Sequence, residues 1–576
     1  MQLKTNYKVD DIPFPEHPAP QLMRNGWFNL NGKWRIQKLS ADGKELLSCD
    51  VLVPFSPETI NSGVEKGFTL GVEETLVYSR TFEWAYDCEK AVKLHFGAVD
   101  SECEVFINDK FVGSHKGGFT PFTLDVSASL IEGENKITVR VKDRAICYGG
   151  ARGKQLEKRG GIWYTPQSGI YQTVWLEYMP KDYIDGVKIT PSVKDMSVTV
   201  EFSSSSLVTA TVIDNGKEII RKSGKDKIIL EYDFELWSPE NPRLYDLILE
   251  NQSGDKIKSY FGVRSFEIVK DKSGKERLSL NGKPYFYNGV LDQGYWADGL
   301  LTYPSDKAAL DELQMLKDMG FNTVRKHIKL EPMRWYYHCD RLGLAVWQDF
   351  VNGGGKYNFM KVAALPFLGF KHKDSDYKYF ERENKEGRDE YINSVRETIG
   401  ALYNSPCVAV YVPFNEGWGQ FDSQEITKLT QSLDGTRIID SVSGWYDQGK
   451  EKTTIKSLHT YYTPLKVPKD SRAVVLSEYG GYSLKIDGHT YNPDKTFGYK
   501  KFKDSDDYVL AVEKLFLNKL KPLIKKGLSG AIYTQVSDVE DEINGLVTFD
   551  RKVQKIPTEK MRVINDKLKE EWESIE

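Results

Sequence analysis

The run VAVYVPFNEGW, residues 408–418, decides how the second half of this chain folds. Val408, Ala409, Val410, Tyr411 and Val412 follow one another without polar alternation, the pattern of a strand covered on both faces. The run breaks at Pro413 and opens into a turn carrying Asn415 and Glu416. A second run of the same build, VVLSEYGG at 474–481, ends on Glu478 and two glycines. Doubly covered strands belong to parallel sheets, and parallel strands need helical crossovers between them.

Outward from these runs, the chain from about residue 278 onward alternates apolar strands with helices. Eight strands are predicted, at 285–290, 323–327, 344–349, 408–413, 437–441, 457–461, 474–478 and 530–535. Helices are predicted at 305–319, with Ser305 as cap and Asp306 in the first turn, and at 508–526, with a lysine-rich end. Eight βα units over roughly 300 residues predict a (β/α)8 TIM barrel, residues 271–576. Upstream the rhythm is different. Short alternating stretches at 91–96, 103–107, 135–141 and 173–177, punctuated by turn residues, predict a jelly-roll β-sandwich over 1–180. Strands at 198–202, 210–214 and 244–249 predict an immunoglobulin-like sandwich over 181–270.

Composition narrows the function. Among 576 residues, 79 Lys and Arg face 83 Asp and Glu, a net charge of −4, so no global field steers the chain to nucleic acid or an anionic membrane. The six cysteines have no C-x-x-C spacing, no apolar run reaches the roughly 18 residues of a membrane helix, and residues 1–25 have no apolar leader core. The expected compartment is the cytoplasm, or the periplasm if a leader has been removed. Neither cofactor nor metal is expected: His327, Glu331 and His338 are spaced by four and seven and match no zinc motif. Gly353, Gly354 and Gly355 lack the pattern of a phosphate loop and read as a rim loop or lid. The charged, aromatic stretch 356–388 reads as a solvated insertion leading into a helix.

In a TIM barrel the chemistry sits at the carboxyl ends of the strands. There Glu416 and Glu478 emerge three strands apart, facing each other across the mouth. Paired carboxylates across a pocket are the requirement of glycoside hydrolysis: one protonates the leaving oxygen while the other attacks, or activates water at, the anomeric carbon. The same rim carries Asp292, Trp296, Arg325, His327, Asp349, His459, Tyr461, Tyr462, Tyr533, Gln535 and Asp538. Rings and fixed polar groups of this kind suit a sugar, with its apolar faces and its hydroxyls.

Five further motifs, SGIYQTVWL at 168–176, LWSPENPRLY at 236–245, FGVR at 261–264, LNGKP at 280–284 and NTVRKH at 322–327, together resemble glycoside hydrolase family 2. That family includes β-galactosidases, β-glucuronidases and β-mannosidases. The resemblance implies Glu416 as acid/base, Glu478 as nucleophile, and Asn415 on the sugar 2-hydroxyl. It also implies Arg325 and His327 in the subsite, Tyr461 bonded to the nucleophile, and retention of configuration, with carboxyls about 5 to 5.5 Å apart. Three features depart from the family. Trp163 stands where many members have an acidic residue. The eighth strand reads Ile532, Tyr533, Thr534, Gln535 without tryptophan. The Asn-x-Lys pair with which β-glucuronidases recognise a carboxylate is not evident in the barrel after Glu478. The expected function is therefore a retaining exo-β-glycosidase of short three-domain form acting on a carbohydrate, β-galactosidase first, with β-mannosidase, arabinosidase and β-glucuronidase as alternatives. A non-catalytic carbohydrate-binding protein is the rival, and a homo-oligomer is left open. Asp292, Trp296, Arg325, His327, Asp349, His459, Trp163 and Tyr533 are expected around the terminal sugar.

Overall fold

The computed structural model describes residues 3–358, 360–361, 365–367, 369–448 and 454–575. The first part of the chain is a sandwich of a six-stranded and a four-stranded antiparallel sheet. Gly133–Lys142 shows why it forms: Asn135, Ile137, Val139 and Val141 point inward in strict alternation. Ile137, Val139 and Val141 meet Leu94, Phe96 and Leu176 of the facing sheet around Trp34 and Tyr78. A smaller sandwich of three and four strands follows, packed on Val198, Val200, Val212, Leu230, Leu247 and Phe261. It is fastened to the next unit by Trp237, whose indole donates to the Asp340 carbonyl at 2.8 Å, and by Tyr260, which donates to the Asp340 carboxylate at 2.7 Å.

The rest is the barrel. Its strands are β1 (Tyr287–Asp292), β2 (Thr323–Lys326), β3 (Ala345–Asp349), β4 (Val408–Val412), β5 (Ile438–Ile439), β6 (Lys456–Thr460), β7 (Val474–Gly480) and β8 (Leu528–Thr534). All are parallel, in the order β5-β4-β3-β2-β1-β8-β7-β6. A parallel bridge from Ile439 to Thr454 joins the two ends. Every residue of β1, β3, β4, β7 and β8 is buried, as the unalternating sequence requires. Trp347 fills the lumen because Gly530 has no side chain; a Cβ there would sit 3.3 Å from the indole.

Helix Asp306–Asp318 begins as expected, with the Ser305 hydroxyl accepting from the Ala308 amide at 3.3 Å. The helix expected at 508–526 starts earlier. Asp504 caps it by accepting from the amides of Asp506 and Asp507, and Ser505–Lys514 then passes through a π-helical turn, Leu515–Leu520. Pro522, in the first turn of the next segment, has no amide to donate, and the widened turn absorbs that missing bond. Helix Lys385–Leu402 follows the charged insertion, of which residues 359, 362–364 and 368 lie outside the described residues.

The glycine run is not a free lid. Gly353 pairs with Ala151 of the first sandwich, and the amides of Arg152 and Gly153 donate to the Asn352 carbonyl at 3.2 and 2.9 Å. A Cβ on Gly353 would fall 1.7 Å from the Gly150 carbonyl oxygen, so only glycine permits this backbone contact. The seam plants sandwich residues 151–165 on the mouth of the barrel.

Candidate active site

β4 ends in a turn that places Glu416 at φ 53°, a left-handed backbone for a residue with a side chain. The Glu416 amide donates to the Ser443 carbonyl at 2.9 Å, and Gly417 and Gly419 continue at positive φ, wrapping the chain over the barrel mouth. Glu478 stays inside β7, facing the lumen. One carboxylate oxygen of Glu416 and one of Glu478 lie within 4.8 Å of each other and of a ring nitrogen of His459. Both glutamates are buried.

Arg325 organises the floor. Its guanidinium spans the Asp349 carboxylate with two 2.9 Å bonds, donates to Glu478 Oε1 at 3.1 Å and to the Ser477 carbonyl at 2.9 Å, and reaches Asn415 Oδ1 at 2.8 Å. That planar fork fixes four groups from three strands. The Tyr461 hydroxyl donates to Glu478 Oε2, and its ring stacks on Tyr499 with centroids 3.9 Å apart. The amide nitrogen of Asn415 is buried with no hydrogen-bond partner among the described residues, so a donor stands ready beside the carboxylates.

The two glutamates are pushed in opposite directions. Burial works to raise Glu478, but His459, Arg325, His327 and the Tyr461 hydroxyl outweigh it and hold the carboxyl at about 2. Burial raises Glu416 above the ordinary range, and the charge of Glu478 adds to the rise, against an opposing pull from His459. Burial, with Lys154 and Arg325, drives His327 far below the usual imidazole range. The neutral ring, with Nδ1 2.6 Å from Asp349 Oδ2, then donates from Nδ1 and keeps Nε2 as an acceptor.

Of the residues expected around the sugar, the structure brings Asn415, Arg325, His327, Asp349, His459 and Tyr461 together with the glutamates. Trp163 arrives from the sandwich, its ring 5.1 Å from Trp418 and 5.6 Å from Tyr357, forming an aromatic wall beside Glu416. Three others lie elsewhere. Asp292 pairs with Lys326, which is shared with Glu331, in a buried network outside the strand ring. Trp296 is buried against Tyr7, with the Arg551 guanidinium 4.2 Å over its ring. Tyr533 packs between Tyr479 and Phe516, on the helix side of β8. His338 binds Asp306, so it does not converge with His327 and Glu331. Trp296→Ala is accordingly expected to cost about 3–5 kcal/mol of folding stability with no change in sugar preference, measured by denaturant unfolding beside a substrate panel. A changed preference at unchanged stability would return Trp296 to the pocket.

Sequence reasoning missed Lys154, Trp418, Tyr499 and the Ser443, Ser457 and Ser477 hydroxyls. Lys154 has no barrel register to betray it. Its ammonium stands 5.4 Å from the Trp418 ring and 5.6 Å from the Tyr164 ring, and among the described residues it has neither hydrogen bond nor ion pair.

Comparison with known proteins fits this arrangement. Three family models match in order: the glycosyl hydrolases family 2 sugar binding domain over residues 57–180, the family 2 domain over 183–264, and the family 2 TIM barrel domain over 272–565. The chain is 27% identical over 402 residues to a beta-galactosidase of Thermoanaerobacter pseudethanolicus, covering 63% of this chain and 47% of that protein. It is 26% identical over 470 residues to a putative beta-glucuronidase of Formosa agariphila, covering 70% and 50%. The chain thus spans about half the length of these curated relatives. The solved beta-D-glucuronidase of Dictyoglomus thermophilum shares its fold, with a TM-score of 0.73 at 19% identity over 97% of this chain and 99% of that one. With its barrel matched from end to end and two sandwiches matched before it, the chain belongs to glycoside hydrolase family 2.

Proposed function

We propose that this chain is a retaining exo-β-glycosidase, with Glu478 as nucleophile and Glu416 as acid/base. The observation that carries this reading is the glutamate pair itself: two buried carboxyls at close spacing, one held well below the ordinary carboxyl range and the other pushed above it. A retaining pair needs about 5 to 5.5 Å between carboxyls, whereas an inverting pair leaves about 6.5–9.5 Å for a water. Glu478 attacks the anomeric carbon as Glu416 gives its proton to the departing oxygen. Once Glu478 is esterified, its negative charge no longer raises Glu416, which becomes more acidic. Glu416 then takes a proton from water, and the hydroxide releases the sugar. Arg325 and Tyr461 orient Glu478, while the unpartnered Asn415 amide suits a ring hydroxyl.

The sequence places a β-galactoside first. Lys154 favours a second reading, a sugar bearing a carboxylate, because its ammonium stands in the mouth with no hydrogen bond or ion pair among the described residues, acting on Glu416 and Asp349 only at longer range, and a substrate carboxylate would complement it. A panel of p-nitrophenyl β-glycosides, run on the wild type and on Lys154→Met, tests both. Turnover of at least one of them is expected. If the uronides lead, Lys154→Met lowers their kcat/KM on the order of 100-fold and leaves the galactoside within about threefold. If the galactoside leads and the variant keeps the ranking, the uronide reading fails. No turnover of any β-glycoside would favour the binding protein over the enzyme.

A further inference from the structure

Behind Glu416 runs a line of side chains that the two-glutamate reaction does not use. His459 on β6 has Nδ1 2.7 Å from Glu416 Oε1 and Nε2 2.9 Å from Ser443 Oγ. Ser443 Oγ is 2.9 Å from Ser477 Oγ, which is 2.7 Å from Ser457 Oγ, which is 2.5 Å from Asp440 Oδ2. All six side chains are buried. Asp440 ends the line oddly. It is fully buried, Ser457 is its one side-chain partner, its Oδ1 has no hydrogen bond, and no Lys or Arg pairs with it among the described residues. A buried carboxylate so poorly compensated is costly to keep ionised.

We infer that Glu416 and Asp440 share one proton through this His–Ser relay, which makes Asp440 a positioning residue for the acid/base. The inference rests on the reading of Glu416 given above. Each hydroxyl and the imidazole can donate in either direction along the line, but only together. When Asp440 is ionised, every group donates toward it: His459 carries its proton on Nε2 and offers the Nδ1 lone pair to protonated Glu416. In the other state five protons have each moved one place. The Glu416 proton is on Nδ1, the Nε2 proton is on Ser443, that of Ser443 is on Ser477, that of Ser477 is on Ser457, and that of Ser457 is on Asp440. Glu416 is then the anion and Asp440 the acid, with no net charge left on the relay. Burial already pushes Asp440 up to about 6, where a carboxyl exchanges its proton near neutrality.

Other charges face both ends. Beside His459, itself a member of the line, Arg325 on β2 and Asp349 on β3 act on Asp440. Glu478 on β7, Lys154 from the sandwich, and the Tyr461 and Tyr499 hydroxyls surround Glu416. None of them is changed by cutting the line at Ser477 or by replacing Asp440.

The experiment compares wild type, Asp440→Asn and Ser477→Ala in two ways. The first is the pH profile of kcat/KM on an alkyl glycoside that needs acid assistance. Losing the Asp440 charge, or its connection, should make Glu416 more acidic and move the alkaline limb down by roughly 0.5–1 pH unit. Inactivation by a fluoroglycoside with a good leaving group, which needs no acid, should stay within about threefold. The second is the ring-nitrogen spectrum of [15N]histidine-labelled protein, in which His459, one of eight histidines, should change tautomer across the same pH range in the wild type and in neither variant. One tautomer throughout, or an alkaline limb unmoved in both variants with no tautomer change, overturns the relay. A purely structural role would lower the melting temperature and leave both readouts in place. A tautomer change without movement of the limb would keep the relay and remove Glu416 from the acid role.

Discussion

Glu478→Gln is expected to lower kcat by about 10⁴-fold or more on every substrate the wild type turns over, with the melting temperature nearly unchanged. The amide is close to isosteric with the carboxylate, can still face Tyr461 and Arg325, and fills the same space in β7. It cannot form the glycosyl ester, so the covalent route closes whatever the leaving group. The magnitude follows from what the site has invested in that one charge. Burial alone would favour a neutral carboxyl here, and His459, Arg325, His327 and Tyr461 together reverse it. A 2-fluoro glycoside should label Glu478 in the wild type, and peptide mapping should find no other labelled carboxylate. Comparable turnover in the variant, or label on another residue, would remove Glu478 from the role.

Glu416→Ala should separate substrates by their leaving groups. For alkyl glycosides the loss is expected on the order of 10³–10⁴-fold, because the departing alkoxide then has no proton donor. For dinitrophenyl glycosides the first step should be nearly unaffected, and hydrolysis of the trapped ester should become rate-limiting. Added azide should then restore turnover and give the β-glycosyl azide, since alanine leaves room for a small anion that needs no base. The pH profile carries the same information. Activity requires ionised Glu478 and protonated Glu416. The acid side is therefore governed by a group at about 2, and activity falls as pH rises through the raised Glu416 value. In Glu416→Ala that alkaline fall should disappear. An equal loss on all leaving groups would make the acid/base assignment wrong.

The barrel was legible because its strands are covered on both faces, so their composition differs sharply from that of the helices between them. The same property hid which way each side chain points. Without alternation, nothing in the sequence says that Arg325 faces the lumen while Lys326, its neighbour, faces out and takes Asp292 with it. Tyr533 was misplaced for the same reason. The fifth strand, expected over 437–441, pairs in the barrel only at Ile438–Ile439, and the chain resumes at Val442–Ser443 in a separate parallel pairing with Phe414–Asn415. The glutamates stood out because each ends a strand; Lys154 did not, because it comes from a sandwich loop with no period. The relay serines were invisible one at a time, since a lone serine on a strand carries no signal until its neighbours across the sheet are known.

The glycine seam at Gly353 bears on how the sequence of this chain can change over time. The proposed catalytic pair and the groups that orient it come from residues 325–478, whereas Lys154 and Trp163, expected to face the sugar, come from a loop encoded some 160 residues earlier. On the proposed reading, part of the selectivity is inherited on a different stretch of the gene from the reactivity. A substitution or a recombination event confined to residues 151–165 is expected to change which sugar is preferred without disturbing the carboxylates, provided the small residues that let the two backbones touch are kept.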